Sequence, residues 1–324
     1  MLDSQTFSCQ KIAVVFLQPG DKAGISNENV VVSSLSGKVK CRIPFQQIFT
    51  LILVGNVSIS SALMHQARKK RFCVILMDAS FRVQERIGAL HEGNTKVRRL
   101  QYTCPKLEIV QHIIANKIAN QKALLKRQRH KQQGVLNAIL SLEECQFRLT
   151  QCRSLNEIRA CEGTASQVYF KNHFNNLKWK ARKPREKHDP INAMLDLGYS
   201  ILFVFIESLL SIYDYDLYCG FLHADAPKRK SLVCDMMEPF RPLIDQTIKE
   251  ALNLKEFSPD DFSLYNNQYR LKSGKKARYV EIIFKALIDN KMRLFQYMLY
   301  FYRAFIGQKD AELYPVFSLE EKEM

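Results

Sequence analysis

The chain has 324 residues, 47% of them hydrophobic and 25% charged, with 48 Lys and Arg against 32 Asp and Glu for a net charge of +16. This composition excludes a largely disordered chain, and the length predicts two globular domains rather than one. The basic excess is focused, with +5 over residues 1–95, +13 over 96–189 and −2 over 190–324, a distribution that suits a nucleic-acid groove more than a uniformly solvated surface or an acidic protein partner.

The first ninety-odd residues read mainly as strand. Ile12–Leu17 is an apolar run ended by Pro19-Gly20, Asn29–Ser33 is β-branched at its centre, and Val39–Ile43 alternates apolar and basic, the period of a half-buried strand. Ile48–Val54 is a further β-rich run. Ser58 or Ser60 then caps a short helix over 62–71, and Phe72–Met77 returns to strand.

Near Asn94-Thr95 the period changes. Val110, Ile113, Ile114, Ile118 and Leu125 form one helical stripe on a segment running to Arg129, interrupted by Lys117, and Gly134 is expected to break the helix. Strand signals disappear beyond this point. Ser154 and Glu157 make a capping box for a helix that buries Ile158, Cys161, Ala165 and Val168 and carries Glu162 beside that stripe. Residues 178–188 are a basic, proline-containing loop. Asp189 as cap and Pro190 at the first position open a long, nearly all-apolar helix. Residues 220–230 read as loop, and Ser231 as the cap of a helix holding Asp235 and Glu238 on one face. Residues 278–306 are aromatic-rich helix. The expected fold class is therefore α+β, with a small β-rich domain over 1–93 followed by an α-helical domain over 94–324.

Nine cysteines, an odd number without a Cys-x-x-Cys pair, read as reduced thiols, although Cys219, His223 and Cys234 could in principle share a metal. The N-terminus lacks a basic segment followed by an apolar core, so no signal peptide is expected. The most apolar stretch, Leu197–Ile206, is about half the length of a membrane span. The location expected by default is cytoplasmic.

Phosphodiester chemistry needs stabilisation of charge on phosphate oxygens and an activated oxygen nucleophile, which a divalent cation supplies. Glu162, His223 and Glu238 are the candidate ligands, with Asp235 as a supporting partner or alternative ligand. Two carboxylates with an imidazole suit Mn²⁺ as well as Mg²⁺. Each residue alone is weak: a helical Glu is usually solvated, and a carboxylate near a helix start can simply favour the dipole. Trp179, between Lys178 and Lys180, could stack on a base or pack on its own domain.

The blocks together resemble a family. Glu162-Gly163-Thr164-Ala165 running to Tyr169-Phe170, Asp189-Pro190-Ile191-Asn192 through Gly198-Tyr199, Gly220-Phe221-Leu222-His223, and Asp235-Met236-Met237-Glu238-Pro239-Phe240-Arg241-Pro242 are similar, in order, to the motif blocks of the CRISPR-associated Cas-one integrases. The resemblance spans nearly the whole chain. It implies a β-rich dimerisation domain and a helical, metal-dependent catalytic domain, with Glu162, His223 and Glu238 as ligands and Asp235 as the nearby acid. It implies DNA contacts from Arg241, with Tyr169 and Asn192 lining the site. Lys178, Lys180, Arg182, Lys183 and Arg185, in the basic connection, are the candidates for gripping phosphates. The implied activity is insertion of short double-stranded DNA fragments into a CRISPR repeat by attack of 3′-hydroxyls, by a homodimer or higher homo-oligomer, with or without the small Cas-two partner. The alternatives are a metal-dependent nuclease that cuts branched or single-stranded DNA without joining, and a non-catalytic DNA-binding scaffold.

Overall fold

Short β-branched runs in the first quarter of the chain become two small sheets. The computed structural model describes all residues except 1–3, 79–82, 89–92, 130–131, 178, 180, 225 and 321–324, and leaves out the side chains of residues 176 and 273. After a one-turn helix, α1 (Ser4–Ser8), come β1 (Lys11–Phe16), β2 (Lys22–Ser26), β3 (Asn29–Ser33), β4 (Val39–Pro44), β5 (Ile48–Val54), β6 (Ser58–Ile59), α2 (Ser61–Lys70), β7 (Cys73–Met77) and β8 (Val83–Ile87). One sheet has the order β1-β5-β7-β8, parallel except for β8, and the other the order β4-β3-β2-β6. Every residue of β5 is buried, as its unbroken apolar run requires for a central parallel strand. Ser60 caps α2, its hydroxyl accepting from Leu63 N. Val30, Val32, Leu51, Leu53, Leu63, Phe72 and Val74 share the core of this region.

The helical region holds α3 (Thr95–Thr103), α4 (Leu107–Lys126), α5 (Gln133–Gln151), α6 (Leu155–His173), α7 (Pro190–Leu210), α8 (Ser231–Met236), α9 (Arg241–Asn253), a hairpin of β9 (Phe262–Tyr265) and β10 (Gln268–Leu271), α10 (Lys276–Asp289) and α11 (Lys291–Ile306). The β-rich-then-helical order is the expected one. Its details differ in four places. The helix expected over 96–129 is two helices, because Pro105 interrupts the ladder. Gly134 does not break α4, which ends at Lys126; it lies in the first turn of α5. Ser231 does not cap α8; its hydroxyl donates to Ala224 O instead. The hairpin β9–β10 contradicts the expected loss of strands. Its two-residue turn, Asn266-Asn267, has φ of 48° and 58°, the left-handed pair that tight hairpins favour.

The caps read from sequence at α6 and α7 are present. Ser154 accepts from Glu157 N at 3.3 Å, and Asp189 Oδ1 accepts from Asn192 N at 2.7 Å. By length and composition α7 could cross a membrane, but 78% of its most apolar window is buried inside the protein, as in a core helix. It reaches that core through Gly198, where an added Cβ would lie 2.4 Å from Ile244 Cγ2 of α9. By contact, the chain divides into one unit of residues 1–99 with 207–215 and a second of residues 100–206 with 216–324. All of the site described next lies in the second unit.

Candidate active site

Three elements of the second unit bring the acidic and histidine blocks to one cleft of about 680 Å³. The capping box starts α6 so that Glu162 projects from its flank beside Cys161, and Ser166, one turn on, donates to Glu162 Oε1 at 2.9 Å. The α-helix carrying Asp235 ends at Met236. Glu238 opens a separate 3-10 turn whose second residue is Pro239, so the two acids do not share one helix face as expected.

Asp235 is 1% exposed and turned toward the loop. Its Oδ2 accepts from the N–H groups of Phe221 and Leu222 at 2.6 and 2.9 Å, and its Oδ1 from that of His223 at 3.1 Å. The same Oδ1 lies 2.5 Å from His223 Nδ1. An acceptor with this many donors is committed, and it fixes the His223 ring through Nδ1 so that Nε2 is the nitrogen left for other chemistry. The loop can close this tightly only because residue 220 is glycine: a Cβ there would lie 2.8 Å from Asp235 Oδ2, from His223 O and from Ser231 Cβ. Gly220→Ala is expected to destabilise the protein by about 1–3 kcal/mol, read as a lowered melting temperature; an unchanged melt would mean that the loop relaxes freely.

Glu238 faces the cleft. Arg241 Nε lies 2.9 Å from its Oε1, and the Arg241 guanidinium stacks 4.6 Å over the Tyr199 ring. Burial works against the Glu238 charge, yet Arg241 and Lys117 beside it hold its carboxyl down to about 2. Glu162 is likewise lowered, with burial opposed by Lys117. Between the two carboxylates stands the Lys117 ammonium, paired with Glu162 Oε1 and 2.7 Å from Glu238 Oε2. Lys117 is thus the charged partner facing the buried Glu238 Oε2.

Deeper in the same cleft Asp245 accepts from the hydroxyls of Tyr199 at 2.6 Å and Tyr169 at 3.1 Å. Burial raises Asp245 to about 6 in spite of those bonds, and burial also raises both phenols. The three side chains tie α6, α7 and α9 together behind the cleft.

Among the described residues no three His, Cys, Asp or Glu groups are gathered closely enough to hold a metal ion as they stand. This holds for Cys219, His223 and Cys234 and equally for Glu162, His223 and Glu238, whose carboxylates stand apart on either side of Lys117. For Glu162, His223 and Glu238 the donor chemistry fits Mn²⁺ or Mg²⁺, and the buried Glu238 Oε2, which already faces the Lys117 ammonium, is the kind of oxygen a cation satisfies. The spacing is that of carboxylates separated by a lysine.

A family model described as CRISPR associated protein Cas1 matches residues 14–284. The chain belongs to the Cas1 family. It is 27% identical over 252 residues to the CRISPR-associated endonuclease Cas1 2 of Rhodospirillum rubrum, covering 72% of this chain and 73% of that one. A solved Cas6-RT-Cas1–Cas2 complex contains a chain similar in fold with a TM-score of 0.79 and 20% identity, covering 97% of this chain and 37% of that one. A casposase bound to integration product matches with a TM-score of 0.76 and 18% identity, covering 97% of this chain and 96% of that one. At these identities the two structures show the Cas1 fold.

Of the residues proposed from sequence, Glu162, His223, Glu238, Arg241, Arg182 and Lys183 line this cleft of the Cas1 fold. Asp235 stands behind His223. Tyr169 and Asn192 are fully buried and do not line it. Asn192 instead shapes the basic loop, accepting from Lys183 N at 2.8 Å and Arg182 Nη1 at 2.9 Å and donating to Ala181 O at 2.9 Å. Arg182 is also held by Asp196 at 2.6 Å. Lys183 and Arg185 are exposed; Lys178 and Lys180 lie outside the described residues. Trp179 packs edge-on against Phe170 and Phe174 and donates to Asp189 at 3.1 Å, so it serves its own domain.

The sequence reading missed Lys117 and Asp245. A lysine interrupting an apolar helical stripe was the available signal for the first. For Asp245, a single acid two turns after Glu238 and followed by Gln246 gave no comparable sign.

Proposed function

We propose that this Cas1-family chain is a metal-dependent DNA integrase of CRISPR adaptation that joins 3′-hydroxyl ends of short DNA fragments to a CRISPR repeat. The observation that carries the reading is the convergence of Glu162, Glu238 and His223 on one cleft rimmed by Arg182, Lys183 and Arg241. Glu162, Glu238 and His223 Nε2 would hold Mg²⁺ or Mn²⁺, which when bound supplies charge stabilisation on the phosphate. Asp235 orients the imidazole and is not a ligand. Arg241, held against Tyr199, places a fixed positive charge beside the phosphate, and the buried phenol pair on Asp245 keeps α6 and α9 in register. In the reaction a 3′-oxygen forms a bond to phosphorus as the bond from that phosphorus to the original 3′-oxygen breaks. The proton lost by the attacking hydroxyl is recovered by the leaving one, so one ester replaces another without ATP. Water in place of the attacking hydroxyl gives cutting, consistent with the name endonuclease carried by the relative from Rhodospirillum rubrum.

The proposed substrates are short double-stranded fragments and repeat DNA. The proposed assembly is a homodimer through the β-rich domain, joined by a Cas2 partner of the kind named in the similar complex, in the cytoplasm. The purified protein, a short duplex and supercoiled plasmid with Mn²⁺ or Mg²⁺ test this. Joined products that need the metal are expected. Nicked plasmid without joining would replace the integrase with a nuclease, and neither product would favour a binding scaffold.

The basic loop gives a separate prediction. Replacing both Lys183 and Arg185 by alanine is expected to weaken DNA binding to a similar degree for unrelated sequences. It should also flatten the slope of log K against log salt by about 2, close to one unit per lost phosphate contact. Fluorescence anisotropy across a salt series reads it; an unchanged slope would take these side chains off the DNA path.

A further inference from the structure

Lys117 is a lysine with 5% of its surface exposed, near the middle of α4, the one charged side chain on a buried face that also holds Asn116, Asn120 and Gln121. Lysines are almost never buried so completely unless paired, and this one is paired twice, with Glu162 and with Glu238. Those are the two carboxylates assigned above to the metal. Without a cation between them the two carboxylates, Glu238 buried and Glu162 partly exposed, would repel each other. With Lys117 and Arg241 opposite them, the four charges balance. The arrangement is that of a cation site already holding a cation, one attached to the chain by a flexible four-carbon stem. Glu238 Oε2 faces this ammonium at 2.7 Å.

We propose that the Lys117 ammonium is a tethered cation that stands between Glu162 and Glu238 in the absence of metal and is displaced when a divalent cation enters. The inference rests on the metal reading above and deepens it. A divalent ion and an ammonium cannot share the space between two carboxylates, so the lysine must withdraw its head into the adjoining cleft, where it adds positive charge on the side from which a phosphate would come. Lys117 thereby holds the two carboxylates together without metal, and it lowers metal affinity by making the metal compete.

The test compares the full-length protein with Lys117→Met, which keeps the stem's bulk and removes the charge. Mn²⁺ titration followed by electron paramagnetic resonance is expected to show binding about tenfold or more tighter in K117M, since the entering ion no longer competes with a unit charge at contact distance. Melting in chelator should be lower for K117M than for the wild type, and Mn²⁺ should raise it by a larger step. Folded K117M that binds Mn²⁺ equally well or more weakly overturns the displacement and leaves the metal reading standing. Mn²⁺ uptake by neither protein overturns both. A second measurement needs no variant: acetylation of Lys117 in the wild-type protein, followed by mass spectrometry, should rise when Mn²⁺ is added. Unchanged labelling in the presence of bound Mn²⁺ overturns the proposal.

Discussion

His223→Ala is expected to abolish strand joining, by on the order of 10²–10³-fold or more, while leaving the protein folded and able to bind DNA. The imidazole is partly exposed in the cleft and among the described residues its ion-pair partner is Asp235, so removing it empties space on the solvent side without opening the core. In the proposed reading DNA affinity rests on cations elsewhere, such as Lys183 and Arg185. The decisive pattern is a loss of joining with an unchanged melting temperature and unchanged anisotropy. Joining that persists in His223→Ala would take His223 out of the chemistry and leave only the carboxylates.

The second large effect is expected from Asp235→Ala, and it should differ in kind. The substitution removes the acceptor of three backbone N–H groups as well as the partner of His223 Nδ1. Each buried N–H left without an acceptor costs about 1–3 kcal/mol, so the melting temperature should fall by several degrees, at roughly 2 °C or more per kcal/mol. Metal affinity should fall as well, by about 10–100-fold, the usual effect of removing a partner that orients a ligand. Asp235→Asn, which keeps an oxygen for some of the loop donors, should recover part of the stability and less of the affinity. Equal losses from Asp235→Ala and His223→Ala in activity, with no loss of stability in either, would instead make Asp235 a direct ligand.

The contrast between these two residues also marks what could be read without a structure. Local signals were sufficient for the framework. β-branched runs such as Ile48–Val54 became strands, and Ser60, Ser154 and Asp189 cap the helices that follow them. The Asn266-Asn267 turn was as legible by the same rules, but the short strands around it are flanked by helix and were absorbed into it. The acidic and histidine blocks are identifiable by residue type and order. What they do to each other is not, because it depends on where helices end. Asp235 and Glu238 are three residues apart, a spacing that suggests one shared helix face, and the change from α8 to a 3-10 turn between them sends one to the loop and the other to the cleft. Tyr169 and Asn192 were expected to line the site, yet they lie behind the cleft: one holds Asp245 and the other shapes the basic loop. Lys117 is 45 residues from Glu162 in sequence, and only the packing of α4 against α6 brings it between the two carboxylates.

The central claim is that Glu162, Glu238 and His223 form one metal centre. A crystal soaked in Mn²⁺ and measured at the manganese absorption edge tests it most directly. The predicted result is a single strong anomalous peak bound by one oxygen of Glu162, Glu238 Oε2 and His223 Nε2, with Asp235 still on the loop and the Lys117 ammonium moved away. A peak held by Asp235, or one bound elsewhere while Lys117 stays between the two glutamates, would contradict the account.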